Sequence, residues 1–109
     1  MDVDTAFKAL AEPRRREILR LVWTKELPAA EIAARFDDVT RSAVSQHLGI
    51  LREAELVLER RDGTRRLYRA NHTQMELLRQ FLAEYWTESL SHLQDLAESA
   101  EREKGTNNG

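Results

Sequence analysis

Residues 40–69 read TRSAVSQHLGILREAELVLERRDGTRRLYR, and a change of period inside this stretch decides the fold. Up to residue 54 the apolar side chains Val44, Leu48, Leu51 and Ala54 recur at intervals of four and three, which is one face of a helix. Thr40 is a good N-cap for it, because its hydroxyl can accept from an orphan backbone N–H two or three residues on. From Val57 the helical period is gone. Val57–Arg61 and Thr64–Arg69 are strand-like, and Asp62-Gly63 between them is a tight-turn signal, since a type I′ turn needs positive φ at both central residues.

A two-residue loop at Asp62-Gly63 would pair Arg61 with Thr64, Arg60 with Arg65, Glu59 with Arg66, Leu58 with Leu67 and Val57 with Tyr68. The base of this hairpin is apolar and its tip basic, with five arginines and one aspartate in residues 60–69. Arg60 opposite Arg65 is unfavourable in an isolated hairpin, which points to solvated side chains or an external anion.

Working outward toward the N-terminus, Pro28 is expected to open a short helix that buries Ile32, Ala33 and Phe36, broken at Asp37-Asp38-Val39. Two short helices across a turn, the second opening with small polar residues, outline a helix-turn-helix over about residues 28–55. A first helix over about 4–11 carries the stripe Ala6, Phe7, Leu10 and Ala11, and Glu12-Pro13 restarts the chain into a second helix reaching about Trp23. That helix buries Ile18, Leu19, Leu21 and Val22. Arg14, Arg15, Arg16 and Arg20 crowd its other side, either as a solvated face or as a phosphate-facing edge.

Toward the C-terminus one long helix is expected over 73–100. Its apolar set, Leu77, Leu78, Phe81, Leu82, Tyr85, Trp86, Leu90, Leu93, Leu96 and Ala97, is wider than one small domain can cover. A homodimer is therefore expected, joining the first helix (Phe7, Leu10) to the last (Phe81, Leu82, Tyr85, Trp86, Leu90, Leu93). Residues 105–109 hold no apolar anchor and are expected to fray as a disordered tail, leaving a single domain over 1–104 with its hairpin at 57–70.

Composition narrows the function. With 109 residues, 41% hydrophobic and 33% charged, the chain suits one compact domain, marginal alone and open to stabilisation by a second copy. The absence of cysteine excludes disulfides, zinc-thiolate clusters and thiol nucleophiles, and makes the cytoplasm the default compartment. No apolar run approaches the ~18 residues of a membrane span, and the acidic start Met1-Asp2-Val3-Asp4 is unlike a signal peptide, so no membrane association is expected. The net charge of −2 argues against a nucleic-acid partner only as an average. Residues 1–69 hold 14 basic against 12 acidic groups and residues 70–109 hold 3 against 7, so the basic charge sits with the helix-turn-helix and hairpin. An enzyme is not expected: His47, His72 and His92 fall in different elements, and four glycines build no phosphate loop.

The segments Leu10-Ala11-Glu12-Pro13-Arg14-Arg15-Arg16-Glu17-Ile18-Leu19, Glu31-Ile32-Ala33, Arg41-Ser42-Ala43-Val44-Ser45-Gln46-His47-Leu48, Leu51-Arg52-Glu53-Ala54-Glu55-Leu56-Val57 and Leu67-Tyr68-Arg69 carry a resemblance that extends over about residues 4–100. As a set they resemble the ArsR-like family of small dimeric bacterial transcriptional repressors. The resemblance implies a mainly α winged helix-turn-helix with the hairpin as wing, a long C-terminal dimerisation helix, and double-stranded DNA as partner. It places the helix from Arg41 in the major groove. The buried stripe leaves Arg41, Ser42, Ser45 and Gln46 facing out; Gln suits adenine and Arg guanine, while Ser and the Ala43 methyl suit short contacts. His47 is expected to pack or to touch phosphate. Arg60, Arg61, Arg65 and Arg66 are the expected wing contacts.

Many members of that family sense metal through a cysteine-containing stretch at the start of the third helix, or through Asp, His and Glu on the last. Here Glu26-Leu27-Pro28-Ala29-Ala30 holds no thiolate. Glu84, Glu88, His92 and Asp95 share a face of the last helix, but Arg79 and Phe81 stand where upstream ligands belong. No metal and no cofactor are expected. Two alternatives remain beside the non-metal repressor: a winged-helix protein-interaction module, since fold does not fix function, and a metal- or ligand-responsive repressor using the last helix. The basic wing favours DNA over the first of these.

Overall fold

Local chemistry places the helix ends. Asp2 caps α1 (Val3–Ala11), its Oδ1 accepting from the backbone N–H groups of Asp4 at 3.1 Å and Thr5 at 3.3 Å. Glu12 ends α1 and caps α2 (Pro13–Leu21) by accepting from Arg14 N–H at 3.3 Å, while Pro13 takes the first helical position, where an N–H would have no partner anyway. α2 stops two residues before the expected Trp23. Val22 has left the helix, and its carbonyl accepts from Ala70 N–H at 2.9 Å.

The computed structural model describes residues 2–107, and the backbone forms two units that meet between Leu78 and Arg79. After α2 come β1 (Leu27–Pro28), α3 (Ala29–Ala34), α4 (Arg41–Glu53), β2 (Val57–Asp62), β3 (Arg65–Ala70) and α5 (His72–Asn107). α5 starts one residue before the expected Thr73 and continues past Ala100, so residues 105–107, expected to fray, are helical; 108 and 109 lie outside the described residues.

β1 has no counterpart in the sequence reading. Leu27 and Pro28 pair with Tyr68 and Leu67, giving an antiparallel sheet in the order β1-β3-β2. Pro28 is the N-cap residue of α3, with φ −72° and ψ 152°, and not its first helical residue; a proline is tolerated on this edge strand because it removes a donor that no further strand needs.

The hairpin exists as expected, but its register is shifted. Asp62 pairs with Arg65, Arg61 with Arg66, Arg60 with Leu67, Glu59 with Tyr68, Leu58 with Arg69 and Val57 with Ala70. The loop is Gly63-Thr64. Gly63 has φ +64°, and Glu55 is the sole non-glycine with positive φ among the described residues, so only the first central position of the turn is left-handed. That is the type II′ pattern, which demands glycine first, and it moves the loop one residue beyond Asp62-Gly63. Partners shift by two, so every side chain keeps its face. Val57 and Ala70 become partners, and both are buried.

In the unit up to Leu78 the core is built by Ile18, Val22, Ile32, Val44, Leu48, Leu51, Leu56 and Val57, all less than about 2% exposed, with Leu78 added from α5. The whole expected stripe of α4 is buried. Thr40 caps α4 through Oγ1, which accepts from Ala43 N–H at 3.0 Å. Its far end closes in a Schellman motif: Leu56 N–H reaches Leu51 O and Glu55 N–H reaches Arg52 O, both at 2.9 Å, with Glu55 at φ +62°. Glu55 holds this left-handed conformation in place of glycine while tying down the start of α5. Its carbonyl accepts from Asn71 Nδ2 at 2.9 Å and its Oε2 from Gln74 Nε2 at 2.6 Å.

In the unit from Arg79 onward, Phe81, Leu82, Tyr85, Trp86, Leu90, Leu93 and Leu96 are all exposed. Spacings of three and four put them on one broad face of α5.

Candidate nucleic-acid interface

Burial of Val44, Leu48 and Leu51 fixes the rotation of α4. Arg41, Ser42, Ser45 and Gln46 are exposed, while Ala43 and His47 are half-buried. Among the described residues the four exposed side chains have no hydrogen-bond partner. They form an unspent polar row on the first two turns, where the helix N-terminus also contributes positive potential.

His47 is held from behind. Arg15 Nη1 lies 3.3 Å from His47 Nδ1. A guanidinium can only donate, so Nδ1 accepts and the proton of the neutral ring is on Nε2. Burial, then the charge of Arg15 and to a smaller degree Arg14, push the His47 pKa below its usual value, with Glu12 opposing. A histidine depressed in the folded state binds fewer protons folded than unfolded. Its contribution is whole above the unfolded pKa of about 6.5 and is lost as pH falls below it. The melting temperature of the wild type is therefore expected to drop more between pH 7 and pH 5 than that of His47→Gln, whose amide oxygen still accepts from Arg15. Equal drops would show that His47 does not titrate against folding.

Arg15 also donates Nε to Ala9 O at 2.6 Å and Nη2 to Lys8 O at 3.1 Å, and Arg16 Nη1 donates to Leu10 O at 2.6 Å. The two arginines satisfy carbonyls at the C-terminus of α1, where positive charge is favoured. Arg14 pairs with Glu17 at 3.2 Å and with Asp38 at 2.5 Å, and lies 5.0 Å over the Phe36 ring. Arg14 and Arg15 are thus half-buried and tied into the fold, while Arg16 and Arg20 remain exposed. Glu17 lies one turn along α2, a local pair; the other partners lie on α1, on the turn before α4 and on α4 itself, out of reach of any local pattern.

On the wing, carboxylates answer most of the arginines. Arg60 donates Nη2 to Glu26 Oε1 at 2.6 Å and Nε to Glu26 Oε2 at 3.2 Å. Arg65 pairs with Asp62 at 3.3 Å; Glu59, 17% exposed at its side chain, takes Arg52 at 2.8 Å and Arg66 at 3.7 Å. Glu59 also faces the buried Tyr68, whose phenol is pushed up by burial and then by that carboxylate. Arg61 has no ion-pair partner among the described residues. The like-charged cross-strand pair is Arg61 with Arg66, and not Arg60 with Arg65. Glu26 was missed as a wing residue because it lies 34 positions from Arg60, beside a strand the sequence did not reveal.

Among the described residues no three His, Asp or Glu side chains stand close enough to hold a metal ion, and no helix is long and apolar enough to cross a membrane.

Residues 10–60 match a family described as a helix-turn-helix domain. Over 96 residues, 88% of this chain and 89% of the relative, the sequence is 41% identical to the HTH-type transcriptional regulator Rv2034 of Mycobacterium tuberculosis. It is 34% identical to the transcriptional repressor SdpR of Bacillus subtilis over 68% of this chain and 81% of that protein. Among solved structures, it is similar to the homodimeric winged helix-turn-helix DNA-binding domain of Mb0332 from Mycobacterium bovis, described as a possible ArsR-family regulator. The TM-score is 0.61 at 33% identity, covering 75% of this chain and 78% of that one.

Proposed function

The chain belongs to the ArsR-like family of winged helix-turn-helix transcriptional regulators, and on that premise we propose that it is a cytoplasmic, homodimeric repressor that reads an inverted-repeat operator. The observation that carries the reading is the unspent row Arg41, Ser42, Ser45 and Gln46, on a helix whose opposite face is locked in the core. Gln46 and Arg41 read base edges; Ser42, Ala43 and Ser45 make short contacts; His47, through Nε2–H, donates to a phosphate. Arg61 grips the backbone directly, and Arg60, Arg65 and Arg66 do so by exchanging a carboxylate for a phosphate. Phe81, Leu82, Tyr85, Trp86, Leu90 and Leu93 on α5, and Phe7 and Leu10 on α1, meet the second copy.

Selection of bound duplexes from a random pool tests this. An enriched inverted repeat, with half-sites about 10 base pairs apart centre to centre or a multiple of that, is expected. A pool that stays random would overturn the reading in favour of a protein-interaction module. Because thiolates are absent and the acids of α5 build no cluster among the described residues, zinc, cadmium and arsenite are expected to leave operator affinity unchanged. A stoichiometric zinc titration that weakens binding tenfold would instead assign a sensing role to Glu88, His92 and Asp95.

A further inference from the structure

The carboxylate facing Arg60 comes from outside the wing. β1 and β2 flank β3, and both Pro28 and Arg60 are register partners of Leu67. Partners across a sheet share a face, which puts Pro28, Leu67 and Arg60 together, and the hydrogen bonds from Arg60 bring Glu26, the residue just before β1, to the same side. The Arg60–Glu26 pair thus spans β3 on the side of Leu67, a side chain that is buried yet stands apart from the main core cluster. Glu26 engages both Nε and Nη2, the guanidinium edge that a phosphate takes bidentately. The side chain of Arg60 is 59% exposed. The side chain of Glu26 is 25% exposed, and an ion pair whose cation stands in solvent contributes little to folding.

Resting on the reading that the wing grips phosphate, we propose that Glu26 is an internal stand-in for a DNA phosphate. It holds Arg60 extended across the sheet while DNA is absent, and it subtracts that arginine's charge from the wing's hold on the backbone. Sequence-independent binding grows with the number of phosphates that free cations neutralise and with the counterions released. A guanidinium already neutralised by a carboxylate releases few, and a phosphate that takes it must displace Glu26 from the same edge. Glu26 therefore sets how strongly, and with what salt dependence, the wing holds any duplex.

The test is binding to a random-sequence duplex across a salt series, for the full chain and for Glu26→Gln, Arg60→Ala and the double variant, with thermal unfolding to confirm that each is folded. Glu26→Gln keeps the side-chain shape and is expected to tighten binding by up to roughly eightfold per engaged wing at 0.1 M salt, steepening the slope of log K against log salt by up to about 0.9. In the Arg60→Ala background the same change is expected to move affinity less than about twofold, since Coulomb interaction at that range is weak and screened. An unchanged slope in Glu26→Gln, or an equal gain with and without Arg60, overturns the proposal while leaving wing binding intact. If Arg61→Ala also leaves the slope of the otherwise unaltered chain unchanged, the wing does not touch phosphate, and the proposal falls with that reading.

Discussion

Replacing Leu82 and Trp86 together by glutamate is expected to convert the protein to a 12.6 kDa monomer at micromolar concentration and to lower operator affinity by about 10²- to 10⁴-fold. Trp86 and Tyr85 are each 62% exposed, and Phe81, Leu82, Leu90 and Leu93 between 42% and 58%. A monomer rarely leaves so continuous an apolar face in water. Four carboxylates brought into the interface, two from each copy, would be desolvated without partners, at a cost of several kcal/mol. The loss in DNA affinity follows because a dimer engages its second half-site as an intramolecular event. Neither side chain contributes to the core around Leu48, so the fold up to Leu78 is expected to survive and to keep its unfolding transition. Trp86→Phe serves as the control and should remain dimeric. Sedimentation of the double variant as a dimer would remove the α5 face from the interface.

Gln46→Ala and Arg61→Ala are expected to fail in different ways. Gln46 has no hydrogen-bond partner among the described residues, so its directional hydrogen bonds are available to a base. Truncation should cost about 1–3 kcal/mol per half-site, roughly doubled for an inverted repeat, and relax preference at one position in each half. The salt slope should stay near that of the wild type. Arg61 is a wing guanidinium with no carboxylate partner among the described residues, so Arg61→Ala should weaken all sequences alike and flatten the slope by about 0.9 per contact, or about twice that in a dimer. Arg65→Ala should act in the same direction but less, because Asp62 at 3.3 Å already offsets its charge. If Gln46→Ala and Arg61→Ala match in affinity, sequence preference and salt slope, the division of reading to α4 and anchoring to the wing is wrong.

Where an outcome depended on neighbours within four residues, it was legible in the sequence. The burial of Val44, Leu48 and Leu51, and hence the exposure of Arg41, Ser42, Ser45 and Gln46, follows from a 3.6-residue period that no tertiary contact has to supply. Thr40 caps α4, Pro13 opens α2 and a hairpin joins Val57 to Ala70 for equally local reasons. The exposed face of α5 was visible because its apolar residues outnumber what one small core absorbs. Three features were decided only in the folded chain. The register turned on which loop residue takes positive φ, and Asp62-Gly63 and Gly63-Thr64 each satisfy a two-residue turn until the buried pair Val57 and Ala70 selects the second. β1 is two residues long, too short for any periodicity, and exists because β3 offers it a free edge. The partners of the arginines were hidden for the same physical reason. A guanidinium reaches about six ångströms from its backbone in any direction, so His47 for Arg15 and Glu26 for Arg60, 32 and 34 residues away, become neighbours only when the core brings their backbones together.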